Sequence, residues 1–250
     1  MKQVEYTLSG AASGANVVPG DAADVLVTAE GVSTLSYFAT DNEGNAETLH
    51  TLTLRIDRTP PVLTLPPDLV AEAAGPGGAA VSFTASAHDA LSGDVPVSFS
   101  VPSGSTFPLG TTIVSASATD LAGNTATGMF RVIVRDRTAP AFVSLTATPN
   151  VLWPANHKMV PVTVTVSVAD AVDPSPITRI LSVSSNEAAD AAGDGHTEAD
   201  AQITGPLTVN LRAERSGTGS GRAYTITLES RDASGNASQR MVTVAVPHDP

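Results

Sequence analysis

The sequence predicts an all-β chain of tandem antiparallel β-sandwiches, and three observations carry that expectation. One turn-and-strand phrase recurs at a fixed interval. Short Val- and Thr-rich runs of alternating polarity are separated by turn clusters that draw on 18 prolines and 20 glycines. Aromatic residues make up 4% of the 250 residues, and nothing reads as a long amphipathic helix.

The repeat is the strongest of the three. Ala39-Thr40-Asp41-Asn42-Glu43-Gly44-Asn45 leads to Asp57-Arg58-Thr59-Pro60-Pro61. Ala118-Thr119-Asp120-Leu121-Ala122-Gly123-Asn124 leads to Asp136-Arg137-Thr138-Ala139-Pro140. The first and second aspartates lie 16 residues apart in both copies, and Asp232-Ala233-Ser234-Gly235-Asn236 repeats the turn. Self-similarity at a fixed interval marks an array of one structural unit. Within each turn the aspartate closes an Asx turn, the glycine takes a positive φ and the asparagine tolerates the left-handed region. Cation ligation by the aspartates is the alternative chemistry.

Period-two alternation places strands at residues 34–40, 49–56, 79–87, 95–101, 111–118, 129–134, 160–168, 207–213, 224–228 and 241–246. Pro60-Pro61 and Ala139-Pro140 hold the residues before them extended, so each serves as a short stiff connector. These connectors set three expected modules, 1–57, 58–137 and 138–250.

Composition excludes several function classes. A net charge of −12 with a pI near 4.6, and only Lys2 and Lys158 as lysines, leaves no basic surface for nucleic acid and makes cations the natural partners. No run approaches the roughly 20 apolar residues of a membrane helix. The segment therefore predicts a soluble chain with no membrane insertion and no export signal of its own. The absence of cysteine removes disulfides, thiolate metal sites and a cysteine nucleophile. Neither Gly-x-Ser-x-Gly nor His-Glu-x-x-His occurs, and the histidines are dispersed, so no enzyme is expected. His88 and Asp89 are adjacent and would point to opposite faces of a strand.

The densest acidic stretch, Asn186 to Asp200, carries five carboxylates and no Lys or Arg. It reads either as a solvated loop or as an irregular calcium loop using Asp190, Asp194, Glu198 and Asp200, since hard cations take oxygen ligands from flexible loops. Ala192 and Ala201 stand where an EF-hand would need ligands. Asp57 and Asp136 sit at the connectors, where they could share a cation or pair with Arg58 and Arg137 beside them. Trp153, the sole tryptophan, is expected in a core or packing role, with His157 as a capping or packing histidine. Around Ser216-Gly217-Thr218-Gly219, the residues Arg212, Glu214, Arg215 and Arg222 read as cross-strand ion pairs.

The phrases of residues 57–136 also carry a family. Arg58-Thr59-Pro60-Pro61-Val62, Pro67-Asp68-Leu69-Val70-Ala71-Glu72, Pro102 to Thr112, and Ala118-Thr119-Asp120 with Gly123-Asn124 resemble a hyalin-repeat domain. That resemblance implies an immunoglobulin-like β-sandwich of extracellular adhesive proteins. Leu65, Phe99, Ala116 and Gly128 stand where animal hyalin repeats usually carry cysteine, which implies a disulfide-free bacterial form. Residues 1–57 resemble the C-terminal part of a bacterial immunoglobulin-like surface repeat, through Val4-Glu5-Tyr6-Thr7-Leu8-Ser9-Gly10 and Thr28-Ala29-Glu30-Gly31-Val32-Ser33-Thr34. At 57 residues this module is short for a sandwich, so the chain is expected to begin inside it. Residues 138–250 resemble a module of multidomain secreted bacterial proteins, through Leu152 to Val160 and Leu211 to Gly219.

Together these readings predict tandem immunoglobulin-like sandwiches in a non-catalytic spacer or adhesive region of a bacterial secreted or cell-surface protein. Its partners would be other modules of a longer polypeptide, with a cell-surface protein or polysaccharide beyond them. The alternative is an accessory carbohydrate-binding region of a secreted hydrolase.

Overall fold

The computed structural model describes residues 2–188, 199–217 and 220–248, and among them the chain is all-β, without helices. Two compact units emerge. One comprises Met1–Leu69, Val81–Ser105 and Thr112–Val132; the other comprises Val70–Ala80, Thr106–Thr111 and Ile133–Pro250.

The chain begins with β1 (Gln3–Gly10), β2 (Gly14–Pro19), β3 (Gly31–Thr40) and β4 (His50–Ile56), which form one sheet in the order β2-β1-β3-β4. Leu8 and Ala39 are the buried hydrophobic residues of these strands. With so few apolar contacts, the sheet rests mainly on its hydrogen-bond ladders.

Next come β5 (Val62–Thr64), β6 (Leu69–Glu72), β7 (Ala79–Ala80), β8 (Ser86–Asp89), β9 (Gly93–Val95), β10 (Val97–Phe99), β11 (Thr106–Phe107), β12 (Gly110–Thr119) and β13 (Thr125–Arg135). They form sheets in the orders β10-β12-β13-β6, β5-β8-β9 and β11-β7. Alternation along β12 buries Val114, Ala116 and Ala118 and turns the residues between them outward. Phe83 meets Phe99 and Phe130 edge-on, with centroids 5.1 and 4.9 Å away. This is the favoured approach of aromatic quadrupoles.

The positions at which the hyalin-repeat resemblance places cysteine lie together. Phe99 is paired with Ala116 across β10 and β12. A Cβ placed on Gly128 would stand 2.7 Å from Leu65 Cδ1, so Leu65 occupies the space that Gly128 leaves. Large-against-small packing thus fills both places.

The remaining strands are β14 (Ala141–Thr148), β15 (Met159–Ala169), β16 (Ile177–Ser185), β17 (Ala201–Gly205), β18 (Thr208–Arg212), β19 (Gly221–Arg231) and β20 (Ala237–Pro247). They build sheets in the orders β14-β15-β18-β17 and β16-β19-β20. The core here includes Leu152, Val162, Val164, Ile180, Val209, Leu211, Tyr224, Ile226, Leu228, Val244 and Val246. Each such aliphatic side chain contributes roughly 1.5–3 kcal/mol on burial.

Most of the expected strands are present. Residues 79–87 differ: they alternate inward and outward, yet only their ends are strand. Ser103 explains the gap. Its Oγ accepts from the Phe83 amide at 2.8 Å and donates to the Phe83 carbonyl at 2.7 Å, so a hydroxyl replaces a ladder partner. Strands β14 and β16 escaped the sequence pattern because each carries a register shift, between Phe142 and Ser144 and between Ile180 and Ser182. Such a bulge breaks the period of two. The turn glycines Gly44, Gly123 and Gly235 adopt φ of 90°, 95° and 94°, as their turn chemistry requires.

Candidate metal centre

Three aspartates at strand ends converge in the first unit. Asp57 directly follows β4, Asp89 closes β8, and Asp120 directly follows β12. One carboxylate oxygen from each lies within 4.8 Å of the others. Asp89 and Asp120 are buried.

Backbone amides hold each carboxylate in place. Asp89 Oδ1 accepts from the Leu91 and Ser92 amides at 2.8 and 2.7 Å. Asp120 Oδ1 accepts from the Ala122 and Asn124 amides, and its Oδ2 accepts from Asn124 Nδ2 at 2.9 Å. The same Nδ2 reaches the Asp57 carbonyl at 3.3 Å, which fastens the turn to the end of β4. Asp57 Oδ1 accepts from the Thr59 amide at 3.3 Å, while its Oδ2 is buried with no hydrogen-bond partner.

The electrostatics follow. Burial pushes the Asp57 carboxyl above its ordinary range; the Thr59 amide opposes this, and the charges of Asp89, Asp120 and Glu30 reinforce it. The Ser92 and Leu91 amides hold Asp89 below its ordinary range despite its burial. Arg58 forms no ion pair with Asp57, nor Arg137 with Asp136, among the described residues. The self-contained partner expected from the Asp-Arg phrase is therefore absent.

The second unit repeats most of this arrangement, without a counterpart of the Ala122 bond among the described residues. Asp136 directly follows β13, Asp170 follows β15 and Asp232 follows β19. Asp170 Oδ1 accepts from the Val172 and Asp173 amides, both at 2.8 Å. Asn236 donates its amide to Asp232 Oδ1 and its Nδ2 both to Asp232 Oδ2 and to the Asp136 carbonyl, the last at 3.2 Å. Thr138 caps Asp136 as Thr59 caps Asp57. Even the tie between loops recurs: Leu121 donates to Ser92 Oγ, and Ala233 to Asp173 Oδ2. Asp136 is 8% exposed, and the Oδ2 atoms of Asp136 and Asp170 are buried without partners. Only the first group brings three ligand atoms within 4.8 Å among the described residues.

The Asp41 turn forms the same internal bonds, from the Glu43 and Asn45 amides and from Asn45 Nδ2. Led by the Asn45 side chain, these bonds lower the Asp41 pKa. Turn chemistry therefore accounts for Asp41, Asp120 and Asp232 as turn formers. It does not account for the unpartnered oxygens of Asp57, Asp136 and Asp170. Sequence reasoning singled out Asp57 and Asp136 and missed Asp89 and Asp170 as their companions. The signal was the shared Asp-Ala-Leu/Val-Ser/Asp phrase at 89–92 and 170–173.

Of the acidic stretch, Asp190, Asp194 and Glu198 lie outside the described residues. Asp200 is buried and faces Arg222 Nη1 at short range, with Arg212 Nε 3.9 Å away. Arg222 is 1% exposed. It also meets Glu187, Glu214, the Tyr224 hydroxyl and the Ala188 carbonyl. Of the ion pairs expected around residues 212–222, those of Arg212 and Arg222 with Glu214 exist and form part of a buried network, whereas Arg215 donates to the Ser216, Pro247 and His248 carbonyls. Burial lowers the Arg222 pKa, but the Tyr224 hydroxyl and then Asp200 outweigh it and raise the pKa overall. Burial pushes Tyr224 up to about 12. His157 joins the network from outside, with Nδ1 3.3 Å from Glu214 Oε2, which fits its expected packing role.

Trp153 departs from expectation. It is 48% exposed, while its neighbour Leu152 is 1% exposed and takes the core position. Along this extended segment adjacent side chains face opposite ways, so only one of the two can enter the core. His88 is exposed and bonds Asp94 at 2.7 Å while Asp89 is buried, which separates the two as their adjacency predicts.

Residues 56–134 match the HYR domain. No curated protein matches the chain. Similar solved structures include human CDH23 EC21-23 at 12% identity, covering 97% of this chain and 88% of that one with a TM-score of 0.35. Drosophila N-cadherin EC1-4 is 13% identical over 98% of this chain and 67% of its own, with a TM-score of 0.27. PcdhgB3 EC1-4 is 12% identical over 97% of this chain, which spans 66% of that structure, with a TM-score of 0.36.

Proposed function

We propose, from the HYR domain at residues 56–134, that the chain is a non-catalytic structural and adhesive spacer of a bacterial secreted or cell-surface protein. In this reading 1–57, 58–137 and 138–250 are successive modules of a longer polypeptide. The observation that carries it is the repeated aspartate constellation. The same bond from an asparagine side-chain amide to an aspartate carbonyl recurs after β4 and after β13, as expected when one structural unit is used in tandem. A spacer acts by holding what it carries at a distance, and for that purpose stiff connectors matter more than pockets.

Stretching the whole chain between its ends under force tests the reading. The expected record is a series of discrete unfolding events from independently folded modules. A single cooperative event would overturn it.

The half-exposed Trp153 favours a second reading, an accessory carbohydrate-binding region. Trp153 borders a depression of about 330 Å³ shared with Pro149, Asn156 and Lys158. Aromatic platforms beside polar groups suit sugars. Saturable binding of the whole chain on a glycan array, lost in Trp153→Ala, would favour it over the spacer.

A further inference from the structure

We propose that Asp57, Asp89 and Asp120 bind a calcium ion, and that Asp136, Asp170 and Asp232 form a second site of the same design. Two independent observations carry the assignment. Oxygens of the first three aspartates converge to within 4.8 Å, yet no Lys or Arg forms an ion pair with any of them among the described residues. In both groups the connector aspartate buries an Oδ2 that accepts no hydrogen bond, and Asp136 does so at 8% exposure. A buried carboxylate oxygen left without donor or counter-charge is costly, and a cation supplies what is missing.

The donor set selects the ion. Every candidate ligand is a carboxylate oxygen, with neither His nor Cys in either group, which suits hard cations and excludes soft ones. Amides from Leu91, Ser92, Ala122 and Asn124 fix Asp89 and Asp120, and a carboxylate has lone pairs beyond those such bonds use. Three carboxylates on three separate segments, completed by water, meet the irregular six-to-eight-oxygen coordination of calcium more readily than the strict octahedron of magnesium. The second group is more open, and an ion would draw its members together. Asn124 and Asn236 already hold the relevant chain segments against each other through the Asp57 and Asp136 carbonyls.

The test is calorimetric titration of the whole chain with calcium chloride after dialysis against EDTA, with magnesium chloride as comparison. Wild-type protein should bind calcium in at least the millimolar range of extracellular modules. Asp57→Asn and Asp136→Asn should each remove one binding equivalent or weaken it at least about tenfold. Asp41→Asn, in the same turn without the cluster, should leave the isotherm unchanged. Should either substitution disturb folding, wild-type hydrogen exchange decides instead, through calcium-dependent slowing of the amides at 59, 91, 92 and 124. No calcium heat up to about ten times that range overturns the proposal. So does a doubly substituted chain with wild-type stoichiometry, which would place the ion at the acidic stretch of residues 190–200.

Discussion

Two clusters of buried carboxylates in this protein solve the same problem in opposite ways. Around Arg222, the chain supplies its own cation: Glu187, Asp200 and Glu214 converge on one guanidinium, and the Tyr224 hydroxyl closes the shell. Around Asp57 the carboxylates converge on one another. Among the described residues, backbone amides are their only protein donors apart from Asn124. A density of acidic residues along the sequence therefore says little about where an external cation belongs. What matters is whether a basic side chain reaches the same buried space, and that is a property of strand pairing.

The sharpest way to break this contrast is to remove the internal cation. Arg222→Met should cost roughly 3–5 kcal/mol in urea unfolding, because it leaves buried carboxylates uncompensated. If that variant is as stable as wild type in calcium but not in EDTA, Asp200 belongs to a metal loop with Asp190, Asp194 and Glu198.

Alkali probes the same network more gently. Tyr224 is held protonated, at about 12 against an ordinary 10.0. Between these values the folded chain retains a proton that the unfolded chain has lost, so stability is intact below pH 10 and falls as pH rises towards 12, by roughly 2–3 kcal/mol in all. Ultraviolet titration should show one of the three tyrosines ionising about two units late. Three coincident titrations would show that the hydroxyl is not enclosed.

The aspartate cluster can be probed through its turn. Gly123→Val should destabilise its hairpin by roughly 1–3 kcal/mol in thermal unfolding, since a β-branched residue fits a φ of 95° poorly. An unchanged melting temperature would mean that the turn readily relaxes into another form. Smallest of all, and opposite in direction to Arg222→Met, Asp57→Asn in EDTA should leave stability unchanged or raise it, because it relieves repulsion without stranding a partner. A clear loss by denaturant titration would show that Asp57 serves the apo fold directly.

Much of the architecture was legible because it is local. The alternation of β12, β13, β15 and β20 and the positive φ of the turn glycines follow from the nearest neighbours in sequence. Part of what escaped was set by distance, although β1 and β2 escaped without any bulge. The bulges of β14 and β16 depend on partner strands. The burial of Arg222 beside Asp200 spans 22 residues, and the meeting of Asp57 with Asn124 spans 67. Asp89 was read only as the neighbour of His88, and its one signal, the phrase it shares with Asp170, does not by itself say that its carboxylate will meet two others. The fixed spacing of the Asp-Arg-Thr phrase did reveal which aspartates to watch.

The clasp from Asn124 to the Asp57 carbonyl has a further consequence. Asp57 lies outside the hairpin that grips it, on the chain segment arriving from the preceding strand. A hairpin can therefore be copied freely, but its aspartate cluster is complete only when the incoming segment is inherited with it. Asp41 shows the other outcome, the same turn without the cluster. A gene fragment cut after Asp57 would fold a recognisable turn and lose the arrangement around it. Shuffling of such repeats should thus leave its breakpoints upstream of the Asp-Arg-Thr phrase and seldom within it.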